Sequence, residues 1–191
     1  MNSWCRNLVL LIKSRSSLIW IRTKEEERLE KLVNFSCERL NIKRFVSWDC
    51  VSGIKGLINE DGKFSNNPLG VLNWLKEQSS EVSTVLLLKD FHKFYDDPSI
   101  NRTIKELSSE LKKTSHNLII SSHLFPSSEE LDELMAIISL PLPNQNELKN
   151  LIKQIATNTN SNLEEQDLNE LSIASSGLTE IKVKQLSLIH I

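Results

Sequence analysis

Asp90 closes the segment Val85-Leu86-Leu87-Leu88-Lys89, the strongest buried-strand signal in the chain. A carboxylate at the tip of an apolar strand can hold magnesium through the metal's water shell, because magnesium keeps most of its waters. Such a site needs a second carboxylate beside the first to orient an attacking water. Phe91 occupies that place, and a phenyl ring neither accepts a proton nor steers a water. The other residues at predicted strand tips are Arg22 and Thr23, Asp49, Ser121 with Ser122, and Pro141. Ser121 could donate to a terminal phosphate, although a hydroxyl at a strand tip more often serves its own turn.

A phosphate cradle is the sharper test of this chemistry. Glycines between the first strand and first helix let successive backbone N–H groups turn inward, in the pattern G-x-x-x-x-G-K-[S/T]. Thr23-Lys24-Glu25-Glu26-Glu27-Arg28 stands there, with no glycine and three carboxylates that would repel a polyphosphate. The glycines at 53, 56, 62 and 70 all follow the second strand. His92, His116 and His123 lack the linear spacing of a metal site, so no metal ligand is assigned. No nucleophile–base pair and no stacking platform for nucleic acid stands out, and no catalytic residue is assigned.

The elements that position these tips follow from hydrophobic periodicity. Trp4, Leu8, Leu11 and Ile12 predict a leading helix over 3–15, and Leu18-Ile19-Trp20-Ile21 a strand buried on both faces. Thr23 and Glu26 read as a capping box for a helix striped by Leu29, Leu32, Val33 and Leu40, with Cys37 between them. Residues 43–48 read as a second strand, followed by a polar excursion from Ser52 to Asn67 with a turn at Asp61-Gly62. Asn67-Pro68 starts a helix carried by Leu72 and Leu75, with Trp74 as a partly exposed neighbour. Asp97-Pro98 opens another, carried by Ile104, Leu107 and Leu111. Leu118 to Ser122 reads as a fourth strand, Ser127 to Leu134 as a short helix and Met135 to Leu142 as a fifth strand.

Alternating strands and helices imply an α/β fold with a mainly parallel five-stranded sheet flanked by helices, P-loop-NTPase-like but without the loop. After Pro143 only helices are expected: one through Leu148, Leu151, Ile152 and Ile155, one through Leu163, Leu168, Leu171 and Ala174, then a stop at Gly177 and a new start at Thr179. The domain expectation is therefore an α/β body over 1–143 and a small helical lid over 144–191. Leu186 to Ile191 break the helical spacing, so the chain is expected to be a fragment with a truncated lid.

Composition excludes several classes. The 191 residues are 39% hydrophobic and 25% charged, which is ordinary globular usage. A net charge of −2 supplies no basic field for nucleic acid. Three scattered cysteines fit a reducing compartment. Leu8 to Ile12 is too short for a membrane span or a signal-peptide core.

At Leu18-Ile19-Trp20-Ile21-Arg22-Thr23-Lys24-Glu25-Glu26-Glu27-Arg28, at Val85 to His92 and at Ser139-Leu140-Pro141-Leu142-Pro143, the chain resembles a known family. It is the AAA-type ATPase family called hypothetical chloroplast reading frame forty-six, of cyanobacteria and algal plastids. Its members carry a degenerate AAA-like domain ahead of a complete ATPase domain, and the resemblance places this chain in the first half. The resemblance implies that Asp90 is a vestigial counterpart of the magnesium-side acid (Walker-B-like) and Ser121 a vestigial counterpart of the γ-phosphate sensor. It further implies a lid after Asn144, although Gly177 to Gln185 lacks the usual arginine. On this resemblance the full-length family uses ATP and magnesium, while this segment uses no cofactor. Its partner would be an ATPase domain in the same chain and copies of itself in a ring, in the cyanobacterial cytoplasm or the plastid stroma, in a setting linked to photosynthesis.

Three functions stay open at this point. The leading one is a non-catalytic module that packs against, assembles or regulates an ATPase domain outside this chain. The second is an ATP-hydrolysing domain with an unusual cradle. The third is a receiver-like signalling domain using Glu25, Asp90 and Ser121, although Pro141-Leu142-Pro143 replaces the lysine such a domain needs after its last strand.

Overall fold

The structure is a computed structural model that describes residues 3–57, 60–124 and 133–190. The chain divides into two compact units, Met1–Leu140 and Pro141–Ile191.

The first unit is built on a sheet of six strands. They are β1 (Leu18–Arg22), β2 (Arg44–Asp49), β3 (Gly53–Lys55), β4 (Thr84–Lys89), β5 (Asn117–Ser122) and β6 (Ala136–Ser139), in the spatial order β3-β2-β4-β5-β1-β6. All neighbours are parallel except β2 and β3, where Trp48 faces Ile54 in an antiparallel pair. The sheet thus has one strand more than the sequence predicts. β3 falls inside the polar excursion, and three residues carry too little periodicity to announce a strand. β6 is shorter than Met135 to Leu142, and the predicted helix over Ser127 to Leu134 lies largely outside the described residues.

Both faces of the sheet are covered, which explains why its central strands read as unbroken apolar runs. Leu18 and Trp20 of β1, with Leu86 and Leu88 of β4, face α3 (Pro68–Lys76) and α4 (Pro98–Leu111). Ile19 and Ile21, with Val85 and Leu87, face α1 (Ser3–Lys13) and α2 (Glu26–Arg39). The two-residue alternation along each strand sends neighbours to opposite cores. The buried indoles are satisfied: Trp4, Trp20 and Trp48 donate Nε1–H to the carbonyls of Ser139, Leu124 and Phe64 at 3.0, 3.0 and 2.9 Å. Trp74, expected to be partly exposed, is buried in the core under α3 and α4 instead. Asn67 and Asp97 cap α3 and α4 as expected, their side chains accepting from Gly70 N and from Ser99 N and Ile100 N.

The strand order excludes the receiver reading. In that fold the first strand lies between the second and third. Here β1 lies between β5 and β6, its Ile21 in register with Ser121 on one side and Ile138 on the other.

The second unit contains α5 (Gln145–Asn158), α6 (Glu165–Ala174) and α7 (Glu180–His190), packed around Leu148, Ile152, Leu168 and Val183. Asn144 and Glu147 form a reciprocal capping box at α5. Gly177 takes a left-handed φ of 84° between α6 and α7. The expected break after Leu186 does not end α7, whose backbone stays helical to His190.

Candidate functional site

The carboxyl ends of the parallel strands bring Thr23, Asp49, Asp90 and Ser121 to one edge of the sheet. That is the side on which open α/β sheets bind ligands. Three residues, Thr23 to Glu25, join β1 to α2. The amides of Thr23 and Glu25 are directed into the protein. Thr23 N–H donates to the Ser122 carbonyl at 2.7 Å. Glu25 N–H donates to Thr23 Oγ1 at 2.9 Å. The predicted capping box is therefore replaced by a local turn: Thr23 serves Glu25, and Glu25 is the residue that precedes α2. A threonine hydroxyl readily accepts from the amide two residues on, which draws it from the helix itself.

The Glu25 carboxylate meets Arg28 one turn on, Oε2 to Nη1 at 2.8 Å, with both side chains about 5% exposed or less. Two charges taken out of water in this way compensate each other in place. Further along α2, Glu30 accepts from Lys89 at the tip of β4, 2.6 Å away. Burial pushes the Glu30 carboxyl up, but the bonds from Lys89 and Ser47 outweigh it and hold it below the ordinary value. Glu26, one turn earlier, has no such partner lysine in contact. Burial and the nearby Asp90 charge push its carboxyl above the ordinary value. Asp49 serves the β2–β3 turn, accepting from Ser52 N at 2.6 Å and Val51 N at 3.0 Å.

Asp90 itself sits in a left-handed conformation, φ 50°, with its side chain 63% exposed. It precedes a single 3₁₀ turn, Phe91–Phe94. Phe91 turns the other way and is completely buried, its ring edge-on to Trp48 at 5.7 Å and tilted on Phe94 at 5.5 Å. The position after Asp90 is thus a core position. Ser121, in register with Lys89, is buried and its hydroxyl donates weakly to the Leu88 carbonyl at 3.4 Å. Ser122 is the one that serves a turn, accepting from Leu124 N–H at 3.0 Å.

The same edge gathers a group that linear spacing hides. His92 and His123 stack edge-to-face at 5.1 Å, and with Asp90 they place one ligand atom each within 4.8 Å of one another. The signal lay in the register. β4 and β5 end side by side, so residues shortly after Lys89 and Ser121 meet although they lie far apart in sequence. Burial holds the His92 imidazole below its ordinary value, partly offset by the Asp90 carboxylate. His116 lies just before β5, at the opposite edge, with Nε2 3.4 Å from the Gln78 carbonyl.

Residues 4–140 match the family described as SpoVK-like AAA ATPase, N-terminal domain, a span that nearly coincides with the first unit. The AAA domain-containing protein ycf46 of Guillardia theta is 30% identical over 184 residues, 96% of this chain and 36% of that protein. Its counterpart in Trieres chinensis is 31% identical over 180 residues, 94% of this chain and 36% of that protein. The chain therefore spans just over a third of the length of these relatives. Among solved structures, the FIGL-1 AAA domain in complex with ADP superposes with a TM-score of 0.65 at 8% identity, covering 98% of this chain and 69% of that one. Domain III of the Thermotoga maritima replication initiation protein DnaA gives 0.59 at 13% identity, covering 98% and 81%. At such identities the likeness is one of fold.

Proposed function

The chain belongs to the SpoVK-like AAA ATPase N-terminal domain family, and from that premise we propose that it is a non-catalytic AAA-like module. It serves the packing, assembly or regulation of an ATPase domain outside these residues, in the same polypeptide or a neighbouring one. Residues 1–143 form the AAA-like body and 144–191 the counterpart of the small helical lid. ATP and magnesium belong to the partner domain, and Asp90 and Ser121 are remnants of a magnesium-side acid and a phosphate sensor. On the same reading the protein works in the plastid stroma or the cyanobacterial cytoplasm, alongside photosynthesis. Among the described residues no helix is long and apolar enough to cross a membrane.

One observation carries the reading. The connection from β1 to α2 has committed its Thr23 and Glu25 amides to internal acceptors and packed a Glu25–Arg28 ion pair beside them. A phosphate cradle works by leaving such amides convergent and unpaired until the anion arrives. The buried Phe91 supports the same conclusion from β4, because a water-orienting carboxylate there would have to leave the core. Equilibrium titration of the purified chain with labelled ATP and magnesium tests this. No saturable binding is expected in the micromolar range, and micromolar binding abolished by Asp90→Asn would overturn the reading.

A further inference from the structure

We infer that Asp90, His92 and His123 form a binding site for a zinc-type divalent cation, at the tips of β4 and β5. The site is separate from the proposed packing role and does not depend on it.

Three observations carry the inference. The first is distance. The His92 Nδ1 and Asp90 Oδ1 atoms are 3.7 Å apart, and the three candidate ligand atoms all lie within 4.8 Å of one another. Ligands bound tetrahedrally at zinc distances stand about 3.4 Å apart. The remaining closure falls on Asp90 and His123, whose side chains are exposed.

The second is the state of His92. Its side chain is 9% exposed, and neither ring nitrogen has a hydrogen-bond partner. A buried polar atom without a partner costs free energy and calls for an explanation such as an ion. Coordination through Nδ1, the nitrogen nearest Asp90, would satisfy one of the two directly.

The third is chemical type. Two imidazoles and one carboxylate suit zinc, cobalt, nickel or copper, whereas magnesium and calcium take oxygen ligands. The set is therefore not that of a nucleotide-bound magnesium ion, although it uses the same aspartate. Three protein ligands leave a fourth position to water. The bound ion would clip the 3₁₀ turn after β4 to the segment after β5, joining two loops that the sheet places side by side.

Cobalt reports the geometry directly, because tetrahedral cobalt absorbs visibly far more strongly than the hexaaqua ion. Titration of the whole chain with cobalt chloride is expected to develop this absorption to one equivalent. One equivalent of zinc should abolish it, and a large excess of magnesium should leave it unchanged. Zinc should also raise the melting temperature, as any ligand of the native state does. His123→Ala alters an exposed side chain and leaves the core intact, so the variant should fold. It is expected to weaken cobalt binding by at least about tenfold, and Asp90→Asn similarly. Cys50, just after β2, is the partly exposed cysteine of the three, the other two being buried, and Cys50→Ser is expected to change nothing. The inference is overturned by absence of the absorption, by binding that both His123→Ala and Asp90→Asn leave intact, or by thiolate charge-transfer bands that Cys50→Ser removes.

Discussion

Arg28 Nη1 lies 2.8 Å from Glu25 Oε2, both side chains buried, at the point where β1 passes into α2. The pair places a local charge balance where a phosphate-binding loop would place converging amides. It also gives the connection a structural requirement. Breaking a buried pair from one side takes away a charge that the other was buried against. Arg28→Ala is therefore expected to lower unfolding free energy by about 3–5 kcal/mol, measured by urea denaturation. The double variant Glu25→Leu/Arg28→Met should recover much of that loss, since an apolar pair of similar volume needs no compensation.

Phe91 is the second such point. Its ring fills the space against Trp48 and Phe94. Phe91→Ala should cost about 3–5 kcal/mol by cavity formation. Phe91→Glu, which writes the missing carboxylate back into the sequence, should cost more and create no ATP hydrolysis. Chemical denaturation and a phosphate-release assay check the two halves of this prediction.

Glu26 and Glu30 stand one turn apart on α2 and are expected to respond to pH with opposite sign. The Glu30 carboxyl is held below its ordinary value in the folded chain. It therefore contributes stability above the unfolded carboxylate range, and that contribution is lost as pH falls through the folded value. The Glu26 carboxyl is raised, so its ionisation costs stability at neutral pH and the cost disappears in acid. Glu30→Gln should lower the melting temperature at pH 7 and Glu26→Gln should raise it. The Glu26 difference should vanish on entering the ordinary carboxylate range, whereas the Glu30 difference should persist further into acid, until pH falls through its lowered folded value.

Gly53 begins β3 with φ 69°, and an added Cβ would meet the Lys63 carbonyl and, at 2.6 Å, the Gly62 carbonyl. Gly62 is also left-handed, φ 85°, but an added Cβ would meet nothing within 4 Å. Gly53→Ala should destabilise by about 3 kcal/mol, from strain and overpacking together. Gly62→Ala should cost only the conformational part, about 1 kcal/mol. Thermal melts of the two variants separate the contributions.

The parallel core was legible because its strands are buried on both faces. Val85 to Leu88 and Leu118 to Ile120 can be little else between polar turns. β3 escaped because an antiparallel edge strand of three residues is held by its partner Trp48 and by the turn at Gly62 rather than by its own pattern. Trp74 is more buried than its spacing predicts for a related reason. Helical spacing gives one stripe, and α3, packed against both the sheet and α4, buries a wider arc than a surface helix does. At the site, the missing glycines and Phe91 could be read directly, since composition at fixed offsets needs no geometry. The approach of His92 to His123 could not, because it depends on the register between β4 and β5, which no local pattern encodes.

On the proposed function, the connection at Thr23 to Arg28 holds itself together and does not hold a phosphate. Isothermal titration of the whole chain with ATP and excess magnesium addresses it most directly. No saturable heat is expected in the micromolar range, and the melting temperature should be unchanged at millimolar nucleotide. Stoichiometric micromolar binding that Asp90→Asn abolishes would contradict it.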